Sequence, residues 1–173
     1  MSKIKILIPI YNDWQSVIKL LENINVEVSK LDGEFSVIIV NDASTEDRPE
    51  ILVDLNSLKS VQIINMKKNK GHARCNAAGL KHISEKEDFD YIIPMDGDGE
   101  DRPEELSLLI EKVKDYSNTV VTADRVKRSE GFIFKFCYLA HKYLTFIFTG
   151  QTIKYGNYTC LPKSIVYKMV NEP

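Results

Sequence analysis

The sequence predicts an α/β domain built on a mainly parallel sheet. Three observations predict it. Five short apolar runs rich in Ile and Val recur along the chain. Segments with apolar residues at helical spacing lie between them, an alternation that implies parallel strands with crossover helices. Polar residues also gather where the runs end: Tyr11-Asn12-Asp13, Asn41-Asp42 and Asp96-x-Asp98. In such sheets ligands bind beyond the carboxyl ends of the strands.

The first run, Lys3 to Ile10, is β-branched, and its second half is apolar on both faces, as in a buried parallel strand. Pro9 fits near its end. Asn12 or Asp13 is a candidate cap for the next helix, and Asn12-x-x-Gln15 resembles a capping box. Val17, Leu20, Leu21, Ile24 and Val28 then share one helical face. Asp32-Gly33 breaks the chain before a second strand, Phe35 to Val40. A short helix carrying Ile51, Leu52, Leu55 and Leu58 is expected after it, capped by Ser44.

Val61 to Met66 reads as the third strand. The polar loop Lys67-Lys68-Asn69-Lys70-Gly71 leads into a helix with Ala73, Ala77, Leu80 and Ile83 on its core face. Phe89 to Met95 is the fourth strand. Asp101 is expected to cap the helix that follows, and Pro103 sits in its first turn, where a missing N–H costs nothing. Leu106, Leu109, Ile110 and Val113 form that helix's core face, and Thr119 to Ala123 is the fifth strand.

The 173 residues fit one domain with a sizeable core, at 43% hydrophobic and 28% charged. A net charge of -2 argues against a nucleic-acid binder. Cys75, Cys137 and Cys160 are far apart with no CxxC pair, which disfavours zinc and disulfides and fits a reducing, cytoplasmic compartment. No uncharged run is long enough to span a bilayer.

After Ala123 the character changes. Arg125, Lys127, Arg128, Lys135 and Lys142 make a basic stretch, and 131–149 is rich in Phe and Tyr. A basic, aromatic, amphipathic helix suits a membrane surface. A core-packing helix explains the same pattern equally well. This change divides the chain into a core, 1–125, and a second region, 126–173, which is expected to be the start of a longer part. The run Ser164 to Val170 is helix-like.

Ten of the 25 acidic residues lie between Glu85 and Glu105. So much negative charge at the end of a buried strand calls for a positive partner. A G-x-G-x-x-G dinucleotide turn is missing after the first strand, and no P-loop occurs. The acidic run fails as an EF-hand loop, because Asp101 and Ser107 stand where Gly and Glu belong. What remains is Asp96-x-Asp98. In an extended segment the two side chains point the same way, toward one hard cation such as Mg²⁺ or Mn²⁺. Gly97 and Gly99 let ligand and backbone approach closely. A solvated acidic loop is the plainer alternative.

Four motifs in order, Pro9-x-Tyr11-Asn12-Asp13, Val40-Asn41-Asp42-Ala43-Ser44, Asn69-x-Gly71-x-x-Arg74 and Met95-Asp96-Gly97-Asp98-Gly99-Glu100-Asp101-x-Pro103-Glu104, resemble the family 2 glycosyltransferases of GT-A fold. The nearest likeness is to the dolichyl-phosphate mannose synthase-like branch of polyprenyl-phosphate sugar transferases. The later Thr149-Gly150-x-x-Ile153 and Gly156-Asn157-Tyr158 resemble that branch's following segment.

The resemblance implies a Rossmann-like three-layer α/β/α sandwich and inverting transfer of a sugar from a UDP- or GDP-linked donor. The acceptor would be a polyprenyl phosphate or a cell-envelope glycan, met at the inner face of the cell membrane. Pro9, Tyr11, Asp13, Asp42, Arg74, Asp96 and Gly97 would bind the nucleotide sugar. Asp96, Asp98 and Glu100 would hold Mg²⁺ or Mn²⁺, although Glu100 stands where this branch commonly has Gln. Asp98 and Arg125 would be catalytic, with Arg128 beside them. Glu130 and Glu172 are the only carboxylates after Arg125, and neither sits in a general-base motif. A phosphate acceptor, already ionised, needs no such base. A non-catalytic nucleotide-sugar-binding domain and a sugar-phosphate nucleotidyltransferase are the alternatives.

Overall fold

The computed structural model describes residues 1–50, 53–116, 118–123, 143 and 158–172. The chain divides into two units, Met1–Thr122 with Asn157–Pro173, and Ala123–Gly156. Almost all of the second lies outside the described residues, including Arg125, Arg128 and the aromatic stretch.

The first unit has the GT-A type of α/β architecture. Its strands are β1 (Lys3–Ile10), β2 (Glu34–Asn41), β3 (Ser60–Asn65), β4 (Tyr91–Pro94), β5 (Val121–Thr122) and β6 (Thr159–Pro162), in the sheet order β3-β2-β1-β4-β6-β5. The pairs β3–β2, β2–β1 and β1–β4 are parallel, while β6 is antiparallel to β4 and β5. The Ile- and Val-rich runs of β1 and β2 are buried on both faces because helices cover both sides. Pro9 lies one residue from the end of β1, opposite Val40.

Helix α1 (Trp14–Val28) buries Val17, Leu20, Leu21, Ile24 and Val28, the stripe read from sequence. Helix α3 (Leu106–Asp115) buries Leu106, Leu109, Ile110 and Val113, after a 3₁₀ turn at Pro103–Glu105. Helices α2 (His72–Lys86) and α4 (Lys163–Asn171) share a core with Leu7, Ile38, Val40, Phe89 and Ile92.

Four local expectations are corrected. The face of α2 turned to the sheet carries Cys75, Gly79, Leu80 and Ile83, while Ala73 and Ala77 are exposed. Gly79 is there because a Cβ would lie 2.3 Å from Leu7 Cδ1. Next, residues 53–59 are not helical. Asn25 of α1 accepts the Ser57 N–H and donates to the Asp54 carbonyl, so this crossover meets its backbone needs through α1 rather than through a helix of its own. Ile51 and Leu52 lie outside the described residues.

The third correction is at the start of α1. Asp13 occupies the N-cap without a side-chain cap bond, and Asn12 adopts φ 59° and reaches across to the β2 loop instead. Last, β6 had no counterpart among the expected strands. It inserts between β4 and β5 and confines β5 to two residues.

Candidate functional site

Register brings the polar strand ends to one edge. Ile10 pairs with Asn41, Asn41 with Asn65, and Leu7 with Pro94. The segments after β1, β2, β3 and β4 therefore emerge side by side.

The β1 and β2 segments are stitched together by Asn12. Its Oδ1 accepts the N–H groups of Thr45 and Glu46 at 2.8 and 3.2 Å, and its Nδ2 donates to Thr45 Oγ1. Its own N–H donates to Ser44 Oγ at 2.9 Å. Asn41 Oδ1 accepts the Ser44 N–H. Ala43 is held at φ 56°, a conformation that costs a Cβ-bearing residue roughly 1–2 kcal/mol. These bonds turn the chain so that Tyr11, 48% exposed, and Asp13 face solvent beside buried Pro9.

Asp42 is only 4% exposed. Its two carboxylate oxygens accept the N–H of Lys70 at 2.8 Å and of Gly71 at 2.7 Å. Burial pushes its pKa up, but those two bonds and the Cys75 thiol more than offset it, so the group titrates below the usual carboxylate range. The Cys75 thiol is pushed up to about 12, by burial first and then by its bond to Asp42. Beyond Asp42 the loop carries Lys67, Lys68 and Lys70, and the first turn of α2 carries Arg74, all exposed.

The acidic stretch folds as a turn rather than as an extended strand, so the alternation argument for Asp96 and Asp98 does not hold. Asp98 Oδ1 accepts the Glu100 N–H at 2.9 Å. Asp101, read as a helix cap, is buried and accepts the Asp96 N–H through Oδ2, while Arg102 takes the N-cap position of the 3₁₀ turn. Tyr158, just before β6, donates its Oη–H to the Arg102 carbonyl at 2.9 Å and braces the same turn. Gly97 is closely packed, since a Cβ would come within 3.2 Å of Val17 Cγ2 and 3.3 Å of the Pro9 carbonyl.

Asp96 is a quarter exposed and its Oδ1 lies 3.4 Å from His72 Nε2 of α2. Asp96, Asp98 and Glu100 supply hard oxygen donors, the chemistry of Mg²⁺ or Mn²⁺. Among the described residues, no three His, Cys, Asp or Glu side chains converge closely enough to hold a metal by themselves. Two carboxylates with open positions for ligand oxygens fit a hard cation better than a closed protein cage does. Beside this turn, Gln15, Ser16, Lys19, Leu20 and Asn23 of α1 line a groove of about 360 Å³ with Asp98, Gly99 and Pro103.

The structure thus gathers Pro9, Tyr11, Asp13, Asp42, Arg74, Asp96, Gly97, Asp98 and Glu100 on the segments at one sheet edge; Arg125 lies outside the described residues. Sequence reasoning missed His72, Cys75 and Asp101 as structural partners of the site. Cys75 had a signal, since Cys75, Gly79 and Ile83 recur every fourth residue.

The model of glycosyl transferase family 2 matches residues 5–167. Two solved structures are similar in fold. Glucosyl-3-phosphoglycerate synthase from Mycobacterium tuberculosis, in complex with UDP, has a TM-score of 0.61 at 12% identity, over 94% of this chain and 57% of that one. S. aureus TarS 1-349 in complex with UDP-GlcNAc has a TM-score of 0.54 at 21% identity, over 77% of this chain and 38% of that one. The chain spans less than two thirds of either relative. No helix among the described residues is long and apolar enough to cross a membrane.

Proposed function

We propose, from the premise that this chain belongs to glycosyl transferase family 2, that it binds a nucleoside-diphosphate sugar across the ends of β1, β2 and β4 and transfers the sugar with inversion. The observation that carries the reading is the shared edge. Asp42 is bonded to the loop that leads into α2 and Arg74, and Asp96 and Asp98 lie on a turn that approaches His72 of the same helix. The solved relatives bound to UDP or UDP-GlcNAc make a uridine donor the first to try, with GDP-linked donors second.

In this reading Tyr11 and Asp13 flank the base and ribose, with Pro9 and Gly97 forming the floor. Arg74 reaches the base or a phosphate from the first turn of α2. Asp96 and Asp98, with Glu100 as a third donor, would hold Mg²⁺ or Mn²⁺. That ion supplies charge neutralisation for the departing diphosphate. Arg125, with Arg128, would add positive field there.

We assign the acceptor as a polyprenyl phosphate, with a cell-envelope glycan second. The support is the motif resemblance, and an ionised phosphate acceptor would attack without a general base, whereas a glycan hydroxyl would need one. The finer placement within the dolichyl-phosphate mannose synthase-like branch, the peripheral membrane contact through 131–149, the cytoplasmic location and the division at 125 belong to the same proposal.

The test is calorimetry with UDP- and GDP-sugars in Mn²⁺ or Mg²⁺, followed by product analysis. Metal-dependent binding and release of a nucleoside diphosphate are expected. Release of pyrophosphate from a sugar phosphate and a nucleoside triphosphate would reassign the chain to nucleotidyl transfer. Binding without turnover on any acceptor would make it a binding domain.

A further inference from the structure

We propose that Asp42 and Cys75 are positioning residues that lock the loop between β3 and α2 into the wall of the nucleotide site. The purpose of that lock rests on the nucleotide-sugar reading above. The lock itself rests on the two backbone N–H bonds to Asp42 and on the burial of Cys75 beside them.

Two backbone donors from one short segment converge on one buried carboxylate. Lys70 and Gly71 give N–H groups at 2.8 and 2.7 Å, and the buried Cys75 thiol, in the first turn of α2, acts on the same carboxylate. Gly71 stands at φ 85°, the left-handed conformation in which both consecutive N–H groups reach Asp42. The Gly71 carbonyl in turn accepts the N–H groups of Arg74 and Cys75, each at 3.1 Å. The direction in which α2 leaves the loop is therefore set at Gly71, and Arg74 is carried with it. Asp42 is itself fixed, because its N–H donates to the Ile10 carbonyl at the end of β1.

The arrangement also explains why a charge is buried here. Both carboxylate oxygens accept a backbone N–H. The negative charge sits at the N-terminal end of a 15-residue helix, where the helix dipole favours it. Cys75 is fully buried and its thiol holds its proton, so it acts as a hydrogen-bond donor and not as a nucleophile.

The experiment compares wild type, Cys75→Ser and Cys75→Ala by amide hydrogen exchange at Lys70 and Gly71 without ligand, and by titration with UDP and with GDP in Mn²⁺. Serine keeps a donor, whereas alanine removes it. Cys75→Ala is expected to speed exchange at both amides and raise the nucleotide Kd, each by about three- to tenfold, the size of one modest hydrogen bond. Cys75→Ser should return both close to wild type. A purely packing role would lower the melting temperature of both variants and leave exchange at Lys70 and Gly71 unchanged, and that result overturns the lock. If wild type binds neither nucleotide while Cys75→Ala still frees the two amides, the lock stands and its assignment to a nucleotide site falls.

Discussion

Asp42 and Gly71 meet through a 2.7 Å bond between a buried carboxylate and a left-handed glycine. Asp42 follows β2 and Gly71 precedes α2, 29 residues apart in sequence. That one contact ties the end of β2 to the start of α2. It makes the site's loop a part of the sheet edge, so the loop's cations are presented from a fixed backbone.

Asp42→Asn keeps the shape and one acceptor oxygen but turns an NH₂ toward a backbone N–H. The cost is expected to be about 2–3 kcal/mol, the scale of a hydrogen bond to a charged group left unmade. At roughly 2–4 °C per kcal/mol for a chain of this size, the change is readable by calorimetry. The acid limb gives an independent check. The folded Asp42 titrates below its ordinary value of 3.8, so its contribution is complete above that pH and is lost as pH falls through the lower folded value. The stability gap between wild type and Asp42→Asn should therefore close in strong acid.

Gly79→Ala tests the packing of α2. Replacing a helical glycine with alanine ordinarily adds about 0.5–1 kcal/mol of stability. Here the new Cβ would lie 2.3 Å from Leu7 Cδ1 and 3.1 Å from Val40 Cγ2, both in the fully buried core. Overpacking of this kind costs about 1–3 kcal/mol, so the sign should reverse and a urea midpoint should fall. A stabilised variant would mean that α2 is free to shift outward.

The strands and both long apolar helix faces were legible because period and burial agree. The β1 and β2 runs are buried on both sides, and the α1 and α3 stripes contain every expected residue. The expected helix after β2 failed because Asn25, distant in sequence, satisfies the loop's backbone. The α2 face was misread because alanine at helical spacing signals little, while the working positions were a cysteine and a glycine. At the site, motif spacing brought the correct segments to one edge. It could not show that Asp42 is filled by the protein's own N–H groups, nor that Asp101 faces Asp96, since both follow from tertiary folding of turns.

Lys5 and Glu87 form a largely buried pair at 2.9 Å, with Gln62 donating to the other Glu87 oxygen. Lys5→Met strands a mostly buried carboxylate and is expected to cost about 3 kcal/mol, whereas Lys5→Met combined with Glu87→Met should be near neutral. A double-mutant cycle in urea checks both. The bond to Lys5 is the main influence holding Glu87 below its ordinary 4.5, so the pair's contribution is present above that pH and is lost as pH falls below it. Lys5→Met should flatten that part of the pH–stability curve.

Asp98→Asn separates a structural from a cation-holding role for the acidic turn. Asp98 Oδ1 accepts the Glu100 N–H, and an asparagine carbonyl can accept the same bond. The turn is further braced by Asp101 on the Asp96 N–H and by Tyr158 on Arg102, neither of which the substitution touches. Stability should therefore change by less than about 0.5 kcal/mol, as for an ordinary surface substitution. What is lost is one formal charge from a pair of hard oxygen donors. Mn²⁺-dependent UDP affinity should fall by about tenfold or more, equivalent to about 1.4 kcal/mol, while UDP binding in chelator stays at its wild-type level. Glu100→Gln, made in parallel, removes the charge of the third candidate donor, and a much smaller effect there would confine the cation to Asp96 and Asp98. Equal metal-dependent affinity in wild type and Asp98→Asn would remove the cation from this turn and leave the acidic cluster as a folded loop with no ion to hold.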